Sequence, residues 1–350
     1  MRFLLCVTAL ALLGATAPPA SPAASPLPLP LNVGGRVIKE ADGSLSFGWP
    51  GTYFEGRFRG RAVRVVFDAP AEHLRLFVDG ALKRTFVKPG KVDLIVDNLG
   101  SGEHDVRLEK LTESQTGGGR FIGFYPAKGS ITLPAKPRAR QIEFIGDSYT
   151  VGYGNTSAKR ACTADEIHDT TDTQQAFGPL VARHFDADYR INAYSGFGIV
   201  RNYNGSSPDL SLPILYPRLK PDDPAHETDD VGWNPWIIVI NLGTNDFSTP
   251  VKAGERWADQ DELKAAYRTR YLAFVRELGS RHKLARFILM GSDTFFAEIE
   301  TIAAALRTEM PDRVQAIRFR GLDLAGCDWH PSIADDRLMA GLIQQTIGSF

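Results

Sequence analysis

Four short blocks hold the residues of this chain best suited to chemistry. Gly146-Asp147-Ser148 closes an apolar run at 142–145. Ser195-Gly196-Phe197-Gly198 stands just after Asn192-Ala193. Asn241-Leu242-Gly243-Thr244-Asn245-Asp246 follows the apolar run 236–240. Cys327-Asp328-Trp329-His330-Pro331-Ser332 precedes the last helix-like stretch. A serine hydroxyl is a weak nucleophile until a base takes its proton, and histidine is the usual base near neutral pH. A tetrahedral intermediate needs donors aimed at its oxyanion, which a backbone N–H at a glycine turn and an asparagine amide can supply. Ser148 is therefore read as the nucleophile and His330 as its base. The Ser148 N–H, Gly196 and Asn245 are read as the oxyanion donors. Asp147 is read as a turn-holding residue.

These roles need one common edge, and the pattern of elements supplies it. After residue 140, apolar strand-like runs at 142–145, 189–193, 236–241, 286–290 and 314–319 alternate with helix-like stretches at 173–185, 260–279, 295–309 and 334–348. Such alternation predicts an α/β fold, a parallel sheet with helices on both faces. Its ligands sit at the carboxyl ends of the strands, where all four blocks fall. Residues 33–134 read differently. Short alternating runs at 61–67, 74–78, 92–96 and 104–111, separated by Asp79-Gly80, Pro89-Gly90 and Gly100-Ser101-Gly102, predict an all-β sandwich. No Gly-x-Ser-x-Gly elbow is present, which argues against an α/β-hydrolase.

The four blocks, in this order, resemble the SGNH or GDSL-type hydrolases. With a β-sandwich in front, and with Gly-Asp-Ser-Tyr-Thr-Val-Gly-Tyr-Gly, Ser-Gly-Phe-Gly and Asp-Trp-His-Pro-Ser as written here, the chain resembles carbohydrate esterase family 2. That resemblance implies a jelly-roll domain over 33–134 and an SGNH catalytic domain over 141–350. It further implies removal of O-acetyl groups from plant-wall polysaccharide such as xylan or glucomannan. Two departures stand out. Tyr149 occupies the place of the usual leucine after the serine. The acid that SGNH enzymes carry three residues before the histidine is replaced by Cys327, with Asp328 two before. The third catalytic member is thus either Asp328 or a backbone carbonyl. Two other functions stay open, a lipid or thioester hydrolase with the same machinery and a non-catalytic carbohydrate-binding protein.

The remaining features bound the setting. The formal net charge of −1 offers no basic footprint for nucleic acid and no polybasic membrane patch. Arg2, an apolar stretch at 3–13 and small residues at 14–17 read as an export signal over residues 1–24, followed by an extended Pro-rich linker over 25–32. A secreted or periplasmic protein is expected. In that compartment Cys162 and Cys327 are expected to form a disulfide, the alternative being two buried thiols. No cofactor is expected. His168 and His226, with Asp169, Asp229 and Asp230 nearby, show no ligand spacing, so no metal is expected either. Sugar rings stack on aromatic faces, and Tyr203 and Phe295 are the chosen platform residues. The polar stretch 203–235 is expected to border the cleft.

Overall fold

Residues 31–133 fold into two antiparallel sheets packed face to face. One sheet runs Leu31–Gly34, Tyr53–Arg59, Glu103–Lys110, His73–Val78 and Ala81–Val87, with Ile131–Leu133 added beside Tyr53–Arg59. The other runs Val37–Lys39, Leu45–Phe47, Gly119–Pro126, Val63–Ala69 and Gly90–Val96. Strict alternation aims Val63, Val65 and Phe67 inward against Leu74, Leu76 and Val78, and Phe54, Phe121 and Phe124 close the core. Ala81–Val87 carries no alternating pattern because it is an edge strand, exposed along most of its length.

The computed structural model describes residues 27–350. The expected export signal at 1–24 lies outside the described residues. The expected linker, however, does not extend to residue 32. Leu29 is buried in the sandwich core, its N–H donates to the Phe124 carbonyl at 2.8 Å, and Leu31–Gly34 is a strand. The Pro-Leu alternation has the period of a strand, so it can drop Leu29 into the core from an edge position, where proline costs no ladder bond.

The second domain is a parallel sheet of five strands. In chain order they are β1 (Arg140–Gly146), β2 (Ala187–Ala193), β3 (Ile237–Asn241), β4 (Arg286–Gly291) and β5 (Val314–Arg318), and in space they run β2-β1-β3-β4-β5. The helices are α1 (Ser148–Val151), α2 (Ala164–Thr170), α3 (Phe177–His184), α4 (Leu212–Leu215), α5 (Thr244–Phe247), α6 (Gln260–Arg281), α7 (Phe296–Glu309) and α8 (Ile333–Gly348). Alternate residues of β3 serve opposite faces. Ile238 and Ile240 pack with Tyr267, Phe274 and Ile302 of α6 and α7, while Ile237 and Val239 pack with the layer of α3 and α8. The expected helix over 173–185 is broken. Pro179 has no N–H to give the carbonyl of Gln175, and it sits in the first turn of α3, where that loss is free. The strand order reverses between β1 and β3, so the carboxyl ends of β2, β1 and β3 flank the crevice such sheets use for ligands.

The two domains share buried surface. Trp49 and Tyr53 belong to the cores of the second domain. The Asp188 carboxylate of β2 accepts from Tyr53 Oη at 2.7 Å, Asn32 Nδ2 at 2.8 Å and the Arg138 N–H at 2.8 Å. Arg36 reaches from the sandwich to Glu143 of β1 at 3.3 Å, both side chains fully buried. Glu143 also accepts from Tyr216 Oη, Trp233 Nε1 and Asn192 Nδ2. Removing one partner of a buried pair strands the other charge. Arg36→Met is therefore expected to cost about 3–5 kcal/mol in denaturant unfolding. A loss below about 1 kcal/mol, the scale of an exposed pair, would contradict the account.

Candidate active site

The floor of the site is the turn that leaves β1. A Cβ on Gly146 would lie 1.9 Å from Thr150 Oγ1 and 3.0 Å from the Asn241 carbonyl, so only glycine lets α1 start this close to β3. Asp147 caps α1, its Oδ1 accepting the Tyr149 N–H at 3.1 Å. Burial pushes the Asp147 carboxyl up to about 7, against the pull of that N–H and with help from the nearby Asp246 charge. Ser148 follows with its side chain at the base of a cleft.

Ser148 Oγ and His330 Nε2 lie 2.9 Å apart, and His330 Nδ1 lies 3.0 Å from the Cys327 carbonyl. A carbonyl can only accept, so Nδ1 carries the proton and Nε2 is left to accept from the serine hydroxyl. Asp328 does not reach the ring nitrogens. Asp328 and Trp329 take successive left-handed conformations, with φ of 50° and 57°, which swing the carboxylate aside. Asp328 Oδ2 instead accepts from Tyr153 Oη at 3.2 Å, and the Tyr153 ring lies against His330 with centroids 4.3 Å apart. The third position beside Ser148 and His330 is thus held by a backbone carbonyl. Asp328 braces the imidazole through Tyr153.

The loop bearing that carbonyl is fixed at several points. Cys327 is disulfide-bonded to Cys162, as expected. The Cys327 N–H donates to the Gly154 carbonyl at 3.3 Å, and the Asp328 N–H donates to the Arg160 carbonyl at 2.7 Å. Gly154 has φ of +56°, and a Cβ there would fall 2.4 Å from Cys327 Cβ. Arg160 in turn donates to the carbonyls of Leu324 and Asp323, each at 2.8 Å.

The other two blocks face the serine. Among the described residues, neither the Ser148 nor the Gly196 N–H donates to a protein acceptor in a turn or loop. Asn245 Nδ2 donates to the Phe197 carbonyl at 2.9 Å and lies 3.4 Å from Asp147 Oδ2, so only the longer contact is readily exchanged. Asp246 ties the blocks together by accepting the N–H groups of Ile199, Val200 and Arg201 at 2.9–3.0 Å. Burial lifts its carboxyl to about 6 despite those three bonds. Glu113, from the sandwich, accepts the Ser195 N–H at 2.8 Å and so fixes the residue before Gly196. No spacing in the sequence marks Glu113, because it arrives from the other domain.

Ser148, Gly196, Asn245, Asp328 and His330 line one cleft of about 520 Å³ together with Tyr149, Tyr153, Tyr203 and Trp329. Tyr203 is exposed on its rim. Phe295 is not a platform. Its ring is 2% exposed, packed against Gly243 and Phe247, because it opens α7 beneath the sheet edge. Trp329, inside the histidine block and 63% exposed on the rim, is a further aromatic of the cleft that no spacing singles out. Of the stretch 203–235 only Tyr203 lines the cleft. Further along, the stretch forms α4 and the hairpin Arg218–Lys220 with Asp223–Glu227, neither of which lines the cleft.

Residues 33–136 match the family described as carbohydrate esterase 2 N-terminal, and residues 144–337 match the GDSL-like lipase/acylhydrolase family. An acetylxylan esterase / glucomannan deacetylase of Cellvibrio japonicus is 50% identical over 90% of each chain. A solved carbohydrate esterase, whose active site is described as displaying divergent catalytic and non-catalytic binding functions, superposes with a TM-score of 0.87. It is 47% identical over 93% of this chain and 98% of its own. A family two carbohydrate esterase from Clostridium thermocellum, solved with cellohexaose, gives a TM-score of 0.78. It is 28% identical over 91% of this chain and 98% of its own.

Burial lowers the His330 pKa, with the Cys327 carbonyl and the Asp328 charge partly offsetting it. The imidazole is thus neutral at neutral pH, and the acid limb of hydrolytic activity should fall below pH ~6.5. Asp328→Ala removes a charge that stabilises the imidazolium, so the limb should move to lower pH. The loss of turnover should be clearly smaller than that of His330→Ala. A limb that moves up, or equal losses in the two variants, would contradict this arrangement.

Proposed function

The chain belongs to carbohydrate esterase family 2, and from that premise we propose that it is an exported serine esterase that removes O-acetyl groups from plant-wall polysaccharide of the xylan and glucomannan kind. The observation that carries the reading is the 2.9 Å contact of Ser148 Oγ with His330 Nε2 at the carboxyl edge of the sheet. Two unengaged N–H groups and an amide stand around it. The names of the similar proteins support the substrate class. The apolar N-terminal stretch and the Cys162–Cys327 disulfide support an oxidising compartment outside the cytosol.

The 2.9 Å contact supports an acyl-enzyme route. Ser148 Oγ attacks the acetyl carbonyl carbon as its proton passes to His330 Nε2. The negative charge that forms on the carbonyl oxygen is received by the N–H groups of Ser148 and Gly196. Asn245 adds a third donor when its long contact to Asp147 opens. The C–O bond to the sugar breaks, and the imidazolium returns its proton to the departing sugar oxygen. A water then attacks the acetyl-serine, losing its proton to His330, and acetate leaves as Ser148 recovers its hydrogen. The Cys327 carbonyl holds the imidazolium proton at Nδ1 throughout. Tyr203 and Trp329, standing on the rim, give sugar rings a face to stack on.

Acetate release from acetylated xylan and acetylated glucomannan tests the proposal. Ser148→Ala should abolish it, and His330→Ala should remove nearly all of it. Asn245→Ala should lower turnover about 10²–10³-fold if its amide serves the oxyanion. Full activity in Ser148→Ala would refute the nucleophile. Rapid turnover of long-chain esters with none of acetylated polysaccharide would move the substrate to the lipid class.

A further inference from the structure

A second cluster of reactive side chains lies apart from the cleft, where the sandwich meets α2. His73 opens a sandwich strand, and His168 and Asp169 sit in the last turn of α2. One ligand atom from each of the three can be chosen so that all lie within 4.8 Å of one another. His73 Nε2 is 3.3 Å and His168 Nδ1 3.6 Å from Asp169 Oδ1, and the two rings meet edge to face with centroids 5.0 Å apart. The chain separation of these residues hides the grouping from sequence spacing.

The decisive feature is what the two nitrogens lack. His73 is 7% exposed, and both its Nε2 and His168 Nδ1 are buried without a hydrogen-bond partner among the described residues. Both instead face one carboxylate oxygen, at ion-pair distance but without hydrogen-bond geometry. One cation placed between them would satisfy all three atoms. Two imidazole nitrogens and one carboxylate oxygen are a donor set for divalent zinc, with water as the fourth ligand. Bonds of about 2.0–2.1 Å in a tetrahedron separate ligand atoms by about 3.3 Å, near the two spacings seen.

The neighbouring charges allow it. Lys88 Nζ is 3.5 Å from Asp169 Oδ1, but it is 40% exposed and free to turn toward solvent. Glu72 is already engaged by Lys110 Nζ at 2.9 Å and by Thr112 Oγ1 at 2.6 Å. We propose that His73, His168 and Asp169 bind one divalent cation of the zinc class, a structural clamp between the sandwich and α2. The clamp lies on a segment that matters. Thr171 Oγ1 accepts the Gly154 N–H at 2.9 Å, and Cys162, just before α2, carries the disulfide to Cys327. The cation takes no part in the ester chemistry.

The test is zinc titration of the full, chelator-stripped protein by calorimetry, with thermal unfolding in parallel. Binding of one zinc per chain, a zinc-dependent rise in Tm and no response to magnesium are expected. His168→Gln should weaken binding at least tenfold and cancel the rise in Tm. The half-exposed Asp169→Asn serves the same purpose should His168→Gln fail to fold. His226→Gln and His330→Ala should bind as the parent does, which separates this site from a surface histidine and from the active-site imidazole. No stoichiometric binding, undiminished binding in both His168→Gln and Asp169→Asn, or loss of binding in His330→Ala would overturn the proposal.

Discussion

The bond from His330 Nδ1 to the Cys327 carbonyl is the constraint on which the reactive geometry depends. It fixes the tautomer, which leaves Nε2 as the acceptor facing Ser148 Oγ. A backbone carbonyl offers no net charge to the imidazolium, so its usefulness lies in being held still. The loop pays for that stillness in unusual conformations at Asp328 and Trp329. It is secured by the disulfide, by the close approach of Gly154 and by the bonds of Arg160. Asp328 contributes at one remove, through Tyr153, and lends its charge to the imidazole without touching it.

Around this relay stand carboxylates whose task is positional. Asp147 caps the turn that carries Ser148, Asp246 gathers three N–H groups of the neighbouring loop, and Glu113 holds Ser195 from the far domain. Burial raises all three. Asp246, accepting three backbone N–H groups, fixes its loop more tightly than a neutral acceptor would, because charge-assisted bonds are shorter and stronger. The sandwich is thus part of the site. Glu113, with Gln115, whose Nε2 donates to the Ser195 carbonyl at 3.0 Å, makes the position of the Gly196 turn depend on how the two domains meet.

Much of this was legible in the sequence because it is local. The runs at 142–145, 189–193 and 236–241 declare buried parallel strands, three of the blocks follow them directly and the fourth precedes the last helix, so one edge follows from topology. The departure at Cys327, where an acid is usual, also marks where the third member is unusual. What stayed hidden is non-local or set by backbone twist. Phe295 heads the helix-like stretch 295–309 and reads as a platform aromatic, yet at the start of α7 it is buried against Gly243. Trp329 was in view but uninterpreted, since only its left-handed backbone turns it to the rim. Glu113, and the meeting of His73 with His168, depend on the packing of two domains and have no sequence spacing at all. The Pro-Leu run before residue 33 reads as linker because proline suggests extended coil, yet edge positions tolerate proline and Leu29 enters the core.

The central claim is that a carbonyl, and no carboxylate, fixes the base. Nitrogen-resolved NMR of the His330 ring across neutral pH tests it most directly, in the parent protein and in Asp328→Asn. The account predicts that Nδ1 keeps its proton and Nε2 remains the unprotonated nitrogen in both, as the Cys327 carbonyl requires. A ring that loses this tautomer preference in Asp328→Asn would contradict it and return the orienting role to the carboxylate.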